Sequence, residues 1–96
     1  MTPNALVDKI IGELNRQRNE AIYAALEHHG YSKEWFFDPN HMDRIEITCI
    51  SHPGDINEAL IYRVDGLSLF TVVSSVHYDS QESKVYISVN VTHFEK

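Results

Sequence analysis

The sequence predicts a two-layer α+β domain: one long N-terminal helix packed on one face of a four-stranded antiparallel β-meander, in the order α-β-β-β-β. Three observations carry that prediction. Apolar residues recur at helical spacing from residue 3 to residue 29 and stop at Gly30. From residue 43 the apolar period changes to two. The segments with that period are separated by turn-forming clusters, HPGD at 52–55, Asp65-Gly66 and DSQE at 79–82. A chain of 96 residues is expected to form a single domain, and folding at this size buries roughly 60 to 70% of the unfolded surface, enough for one modest core. The predicted organisation is a helix over 3–29, an aromatic loop over 30–43 and a sheet over 44–94.

The helix opens on Thr2 and Pro3, a hydroxyl N-cap followed by a ring at the first helical position, where the missing N–H has no partner to lose. Winding at 100° per residue puts Leu6, Val7, Ile10, Ile11, Leu14, Ala21, Ala24 and Ala25 on one stripe. The polar run at 15–20 interrupts the stripe, but it resumes in phase with Gln17 and Arg18 intruding. One continuous helix of about 27 residues, on the order of 40 Å long, is the simpler account. Glu13, Glu20 and Glu27 recur opposite the stripe. With Lys9 and Arg16 beside them they read as a solvated face with local charge pairs, not as an acidic ridge for a basic partner. Gly30 is the signal for a left-handed C-cap, which leaves His28 and His29 in the last turn, where the helix dipole favours positive charge. Adjacent residues on an ideal helix point about 100° apart, so these two are expected to cap the helix and not to share a metal.

After Gly30, Ser32 is placed to cap a short helical turn through Lys33, Glu34 and Trp35, and Asp38-Pro39-Asn40 breaks it. Trp35, Phe36 and Phe37 are too apolar for a loop that only connects. They are expected either to fold across the sheet face that the long helix leaves open or to be presented to a partner.

The strands follow from alternation: DRIEITCIS (43–51), EALIYRV (58–64), LSLFTVVSSVHY (67–78) and SKVYISVNVTHF (83–94). A four-residue turn at 79–82, with Tyr78 opposite Ser83 and His77 opposite Lys84, gathers Phe70, Val72, Ser74, Val76, Val85, Ile87, Val89 and Val91 on one face. A five-residue turn mixes polar and apolar residues on both. Pairing Val64 with Leu67 across Asp65-Gly66 adds Ala59 and Ile61 to this apolar face, the expected seat of the helix. The opposite face then carries Leu60, Tyr62, Val64, Leu67, Leu69, Thr71, Val73, Ser75, Tyr86, Ser88, Asn90 and Thr92, with Lys84 its one charge on the two C-terminal strands. One helix cannot cover both faces, so something else is expected to cover part of the second.

Composition excludes several classes of function. The net charge of −6, with eight basic residues and no cluster among them, argues against nucleic-acid binding and against anionic membrane surfaces. Asp8 and Glu13 interrupt any signal-peptide core, and no apolar stretch approaches the length of a membrane span. The single cysteine, Cys49, fits a reducing compartment and reads as a small buried hydrophobe. A cytoplasmic location is expected, and the Asn90-Val91-Thr92 sequon is read as accidental. No cofactor is expected, since the chain has no Gly-rich phosphate loop and no GxSxG elbow. His52 and Asp55 read as turn residues. The enzyme-like alternative is a small metal-binding protein or metal-dependent enzyme using His41, Asp43 and His77, where His41-Met42-Asp43 and His77-Tyr78-Asp79 each place two ligand types at i and i+2.

The element order is similar to that of cystatins and of several small inhibitor or immunity proteins, a likeness of layout alone, and the Gln-x-Val-x-Gly hairpin of cystatins is absent. The function this sequence points to is non-catalytic: a small acidic cytoplasmic module that binds another protein or itself, as a homodimer, in the manner of an inhibitor, immunity protein or accessory regulator of phage or bacterial type. The expected contact surface is the charge-poor sheet face with Tyr62, Leu69, Thr71, Val73, Tyr86, Ser88 and Asn90, and with Trp35 and Phe36 nearby, since aromatic residues are frequent interface anchors.

Overall fold

The computed structural model describes residues 3–51 and 57–94, and within them the predicted α+β architecture is present. A long helix, α1 (Pro3–His28), is followed by one helical turn, α2 (Lys33–Phe36), and a 3-10 turn (Pro39–Arg44). Four strands then form one antiparallel sheet in the order β1-β2-β3-β4: β1 (Ile45–Cys49), β2 (Glu58–Val64), β3 (Leu67–Asp79) and β4 (Lys84–His93). The HPGD turn and the Thr2 cap lie outside the described residues.

The helix ends as Gly30 predicts. Gly30 has φ +85°, its N–H reaches the Glu27 carbonyl (3.0 Å), and the Tyr31 N–H reaches back to the Leu26 carbonyl (2.9 Å). Those two bonds are the Schellman pair, and glycine is there because a left-handed residue without a Cβ carries no steric penalty. Ser32 caps α2 by accepting from the Trp35 N–H (3.1 Å), and Asp38 caps the 3-10 turn by accepting from the Asn40 N–H (2.9 Å). On the solvent side of α1, Arg16 bonds both Glu13 and Glu20. The Arg16 hydrogen bond holds the Glu13 carboxyl down at about 2, so this side is the self-paired face the spacing predicts.

The buried stripe of α1 is rotated from the predicted one. Leu14, Ile22, Ala25 and Leu26 are buried, whereas Leu6, Val7, Ile11 and Ala24 are exposed. Rotating the helix this way trades small alanines for the larger Ile22 and Leu26, and apolar area removed from water is what stabilises the contact. Arg18, which interrupted the predicted stripe, lies between helix and sheet. Its Nε donates to the buried Ser74 hydroxyl (2.8 Å) and stands 3.5 Å from the Glu58 carboxylate.

Two register findings decide which residues face α1. Across the last hairpin, Asp79 pairs with Lys84 and Tyr78 with Val85, so the four-residue loop begins at residue 80 instead of 79. The cause is the Asp79 carboxylate, which caps the loop by accepting from the Gln81 and Glu82 N–H groups (2.9 and 3.2 Å) and so belongs on the strand side of it. The slip is two residues in pairing, an even number, and every side chain keeps its predicted face. His77 accordingly sits opposite Tyr86, not Lys84.

The hairpin at Asp65-Gly66 behaves differently. Val64 pairs with Leu67 as expected, but a bulge follows: Arg63 pairs with Ser68 and Tyr62 with Phe70, leaving Leu69 extra. An odd shift inverts a strand relative to its neighbour. Leu60, Tyr62 and Val64 therefore face the helix, and Ala59, Ile61 and Arg63 face away, the reverse of the prediction. The bulge lets the adjacent Leu69 and Phe70 both point inward, where they are 5% and 0% exposed, and lets Phe70 stack on Tyr62 with ring centres 4.9 Å apart.

Candidate partner-binding surface

Among the described residues, everything that covers the sheet lies on one side of it. The buried cluster joins Ile22, Ala25 and Leu26 of α1 to Phe36 of α2 and to Tyr62, Val64, Leu69, Phe70 and Val72. Helix α1 packs over β3 and β4, and α2 continues the same layer, with Phe36 6.0 Å from the Tyr62 ring. The aromatic segment therefore does not fold across the second face. Trp35 is half-buried in a stack of its own, 4.9 Å from the Tyr31 ring and 4.4 Å from the His41 ring, with the Arg44 guanidinium 5.1 Å above it.

Among the described residues, none covers the outer face. Along β3 and β4 it presents the cross-strand pairs Thr71–Thr92, Val73–Asn90, Ser75–Ser88 and His77–Tyr86, and β2 adds Ala59 and Ile61. Val73 and Tyr86 are 44% and 46% exposed. Charges stand only at its corners among the described residues. Arg63 at one end donates to Thr48 (2.8 Å) and Ser68 (3.1 Å) near Glu46, and Asp79 faces Lys84 at the other. The polar side chains in between are small and partly satisfied locally, with the Asn90 amide donating to the Ser88 hydroxyl (2.9 Å). At the hairpin end the Tyr86 hydroxyl donates to Glu82 (2.7 Å), a bond that raises its pKa.

Among the described residues, the face continues into an open strand edge. The Phe94 N–H bonds to the Leu69 carbonyl, and antiparallel ladders alternate. The backbone groups of Val85, Ile87, Val89, Val91 and His93 therefore point away from β3, along ten residues with no proline and a single charge at the start.

Of the predicted contact residues, Thr71, Val73, Tyr86, Ser88 and Asn90 share this outer face. Tyr62, Leu69 and Phe36 do not: they are core residues, at most 5% exposed, and burial pushes the Tyr62 hydroxyl up to about 12. The bulge moved Tyr62 inside, and the short α2 helix, on the same side as α1, carried Phe36 there. The aromatic segment instead lines a surface of its own, the second of its two expected roles: an apolar groove of about 290 Å³ between Phe36, Phe37, Met42, Ile45 and Ile47 on the β1 side, in which the part taken by Met42, Ile45 and Ile47 was not expected. Its signal was present in the run of three aromatics followed by Met42.

The predicted metal set is not assembled. His41 donates from Nδ1 to the Trp35 carbonyl (2.7 Å) and His77 lies on the outer face of β3. With Asp43 they form no group of converging donors among the described residues. The imidazoles that do meet are those of His28, His29 and His93. Comparison with protein-family models, with curated proteins and with solved structures finds no match to the chain. No helix among the described residues is long and apolar enough to cross a membrane.

Proposed function

We propose that the chain is a small, non-catalytic protein-binding module of the cytoplasm, of the inhibitor, immunity or accessory-regulator kind. Its recognition surface is the outer face of β3 and β4, running into the β4 edge, and its first partner is a second copy of itself. The observation that carries this reading is the one-sided layering: both helices lie on one face, and among the described residues the other is left with charges only at its corners and with Val73 and Tyr86 half exposed. Strands of 7, 13 and 10 residues, rising about 3.3 Å per residue and standing about 4.8 Å apart, give a face on the order of 500 Å² in projection, to which the β4 edge adds. That approaches the roughly 800 Å² per partner of a standard specific interface. A half-exposed tyrosine on a face whose charges stand at its corners also matches interfaces that exclude charge from their centres.

The test is solution mass by light scattering across a concentration series, on the native chain and on Val73→Glu. A dimer that Val73→Glu converts to monomer is the expected result. A dimer untouched by Val73→Glu and by Tyr86→Ala would remove the outer face from the proposal. A native monomer throughout would remove the second copy, and capture experiments with the same two variants would then decide whether a foreign protein uses the face.

A further inference from the structure

At the opposite side of the sheet from that surface, where α1 ends, three imidazoles converge from distant parts of the chain. His28 and His29 come from the helix terminus and His93 from the end of β4, and one donor nitrogen of each lies within 4.8 Å of the other two. The closest approach is between His29 Nε2 and His93 Nδ1, at 3.0 Å. The rings of His28 and His93 are 4.2 Å apart and those of His29 and His93 5.0 Å. Nitrogen ligands bound at 2.0–2.1 Å in a tetrahedron stand about 3.3 Å from one another, so the observed spacing needs only small side-chain rotations to match it.

The convergence has a structural cause. His29 is the residue at which the chain leaves the helix: its N–H is shared between the Ala25 and Leu26 carbonyls (3.3 and 3.0 Å), and Gly30 turns left-handed immediately after it. Adjacent residues still leave a helix at a wide angle, and it is His93 that closes the gap between them, with its ring centre 4.2 Å from that of His28 and 5.0 Å from that of His29. His93 reaches the helix end because it pairs with Phe70, and the Phe70 ring forms an apolar floor, 5.9 Å from His29 and 6.2 Å from His93. The negative end of the α1 dipole also faces this spot, which favours a cation.

We propose that His28, His29 and His93 form a binding site for one divalent transition metal of the zinc class, clamping the end of α1 to the end of β4. Three imidazoles, with no carboxylate among the described residues of the group, select Zn²⁺, Ni²⁺ or Cu²⁺ over Mg²⁺ or Ca²⁺. In the metal-free site one of the two nitrogens in the His29–His93 contact must carry a proton to bond the other. The metal takes the place of that proton, which leaves to solvent. Three protein ligands leave one tetrahedral position for water or for a group from outside the chain. The site does not depend on the outer-face reading, because it lies on the inner side of the sheet.

Zinc itself is the probe, titrated calorimetrically into the whole chain, with the imidazole ¹H–¹⁵N resonances followed in parallel. The expected result is one Zn²⁺ per chain at micromolar affinity or tighter, with selective shifts of His28, His29 and His93. A melting temperature on the order of 10 °C higher at a hundredfold excess over Kd is also expected. His28→Gln, an exposed position where folding is not at issue, and His93→Gln should each weaken binding by at least about tenfold, whereas His41→Gln and His77→Gln should leave it unchanged. Affinity weaker than 1 mM, shifts at His41 or His77 instead, or affinity indifferent to His28→Gln and His93→Gln would each overturn the site.

Discussion

Along β2 and β3 the residues Tyr62, Val64, Phe70 and Val72 alternate with Ile61, Arg63, Thr71 and Val73. The first set is at most 5% exposed, and the second stays at least partly open to solvent. The strands, their hydrogen bonds and their twist are common to both sets, so the difference comes from what lies above each face. On the inner face Phe70 meets Tyr62, the end of α1 and the His29 and His93 rings. On the outer face Thr71 meets Thr92 across the ladder and then solvent. What this teaches is that a period-two pattern identifies a strand, while the assignment of its two sides belongs to the neighbours.

The largest expected effect is on that contrast itself. Phe70→Ala removes a ring with no exposed surface from between helix and sheet and should cost about 3–5 kcal/mol, a large part of the stability of a domain this small. Thr71→Ala, one residue along, should change stability by no more than about 0.5 kcal/mol. Urea unfolding of both variants measures the difference. Similar losses at the two positions would mean that the outer face is packed against something in the folded protein.

The second prediction sharpens the comparison at the bulge. Deleting Leu69 lets the Asp65-Gly66 turn run directly into the pairs Arg63–Ser68 and Tyr62–Phe70, so both faces keep their occupants and only one buried leucine is lost. The expected cost is about 2–3 kcal/mol, that of losing the buried side chain, with the cross-strand contacts of Tyr62 and Phe70 retained in NMR spectra. Collapse of the fold on this deletion would mean that the bulge does more than seat Leu69.

That bulge is also where the sequence stopped being legible. β2 and the Ser32 cap stand where the pattern places them, and α1 ends within one residue of its predicted end, because local spacing, turn chemistry and capping suffice for each. The faces of β2 did not follow, since one extra residue inverts a strand and the sign of it, the apolar doublet Leu69-Phe70 in an alternating strand, is small. The four-residue loop after β3 slipped too, but by an even number, and nothing changed sides. The burial of Phe36 and the meeting of His28, His29 and His93 depend on contacts between segments up to 64 residues apart, which periodicity does not encode.

The smallest expected effect lies on the rim where the two faces meet. Asp65 holds the first position of the β2–β3 turn with φ +53°, and the Arg44 guanidinium donates to both its carboxylate oxygens (2.9 and 2.8 Å), tying the start of β1 to the turn. That hydrogen bond, helped by the Arg44 charge, holds the Asp65 carboxyl below its ordinary value of 3.8. A carboxyl depressed in the folded state binds its proton more readily when unfolded, so the pair stabilises the fold above the ordinary value and ceases to as the pH falls through the folded one. Asp65→Asn removes the charge while suiting the turn, because asparagine tolerates positive φ. The native chain should therefore resist urea slightly better than Asp65→Asn at pH 7, by less than the Leu69 deletion costs. The margin should shrink in high salt and vanish at low pH, because the pair is exposed and screened. A margin that stays constant from pH 7 to pH 2 would assign the effect to the turn backbone, and the fork from Arg44 would then contribute nothing to holding β1 on the sheet.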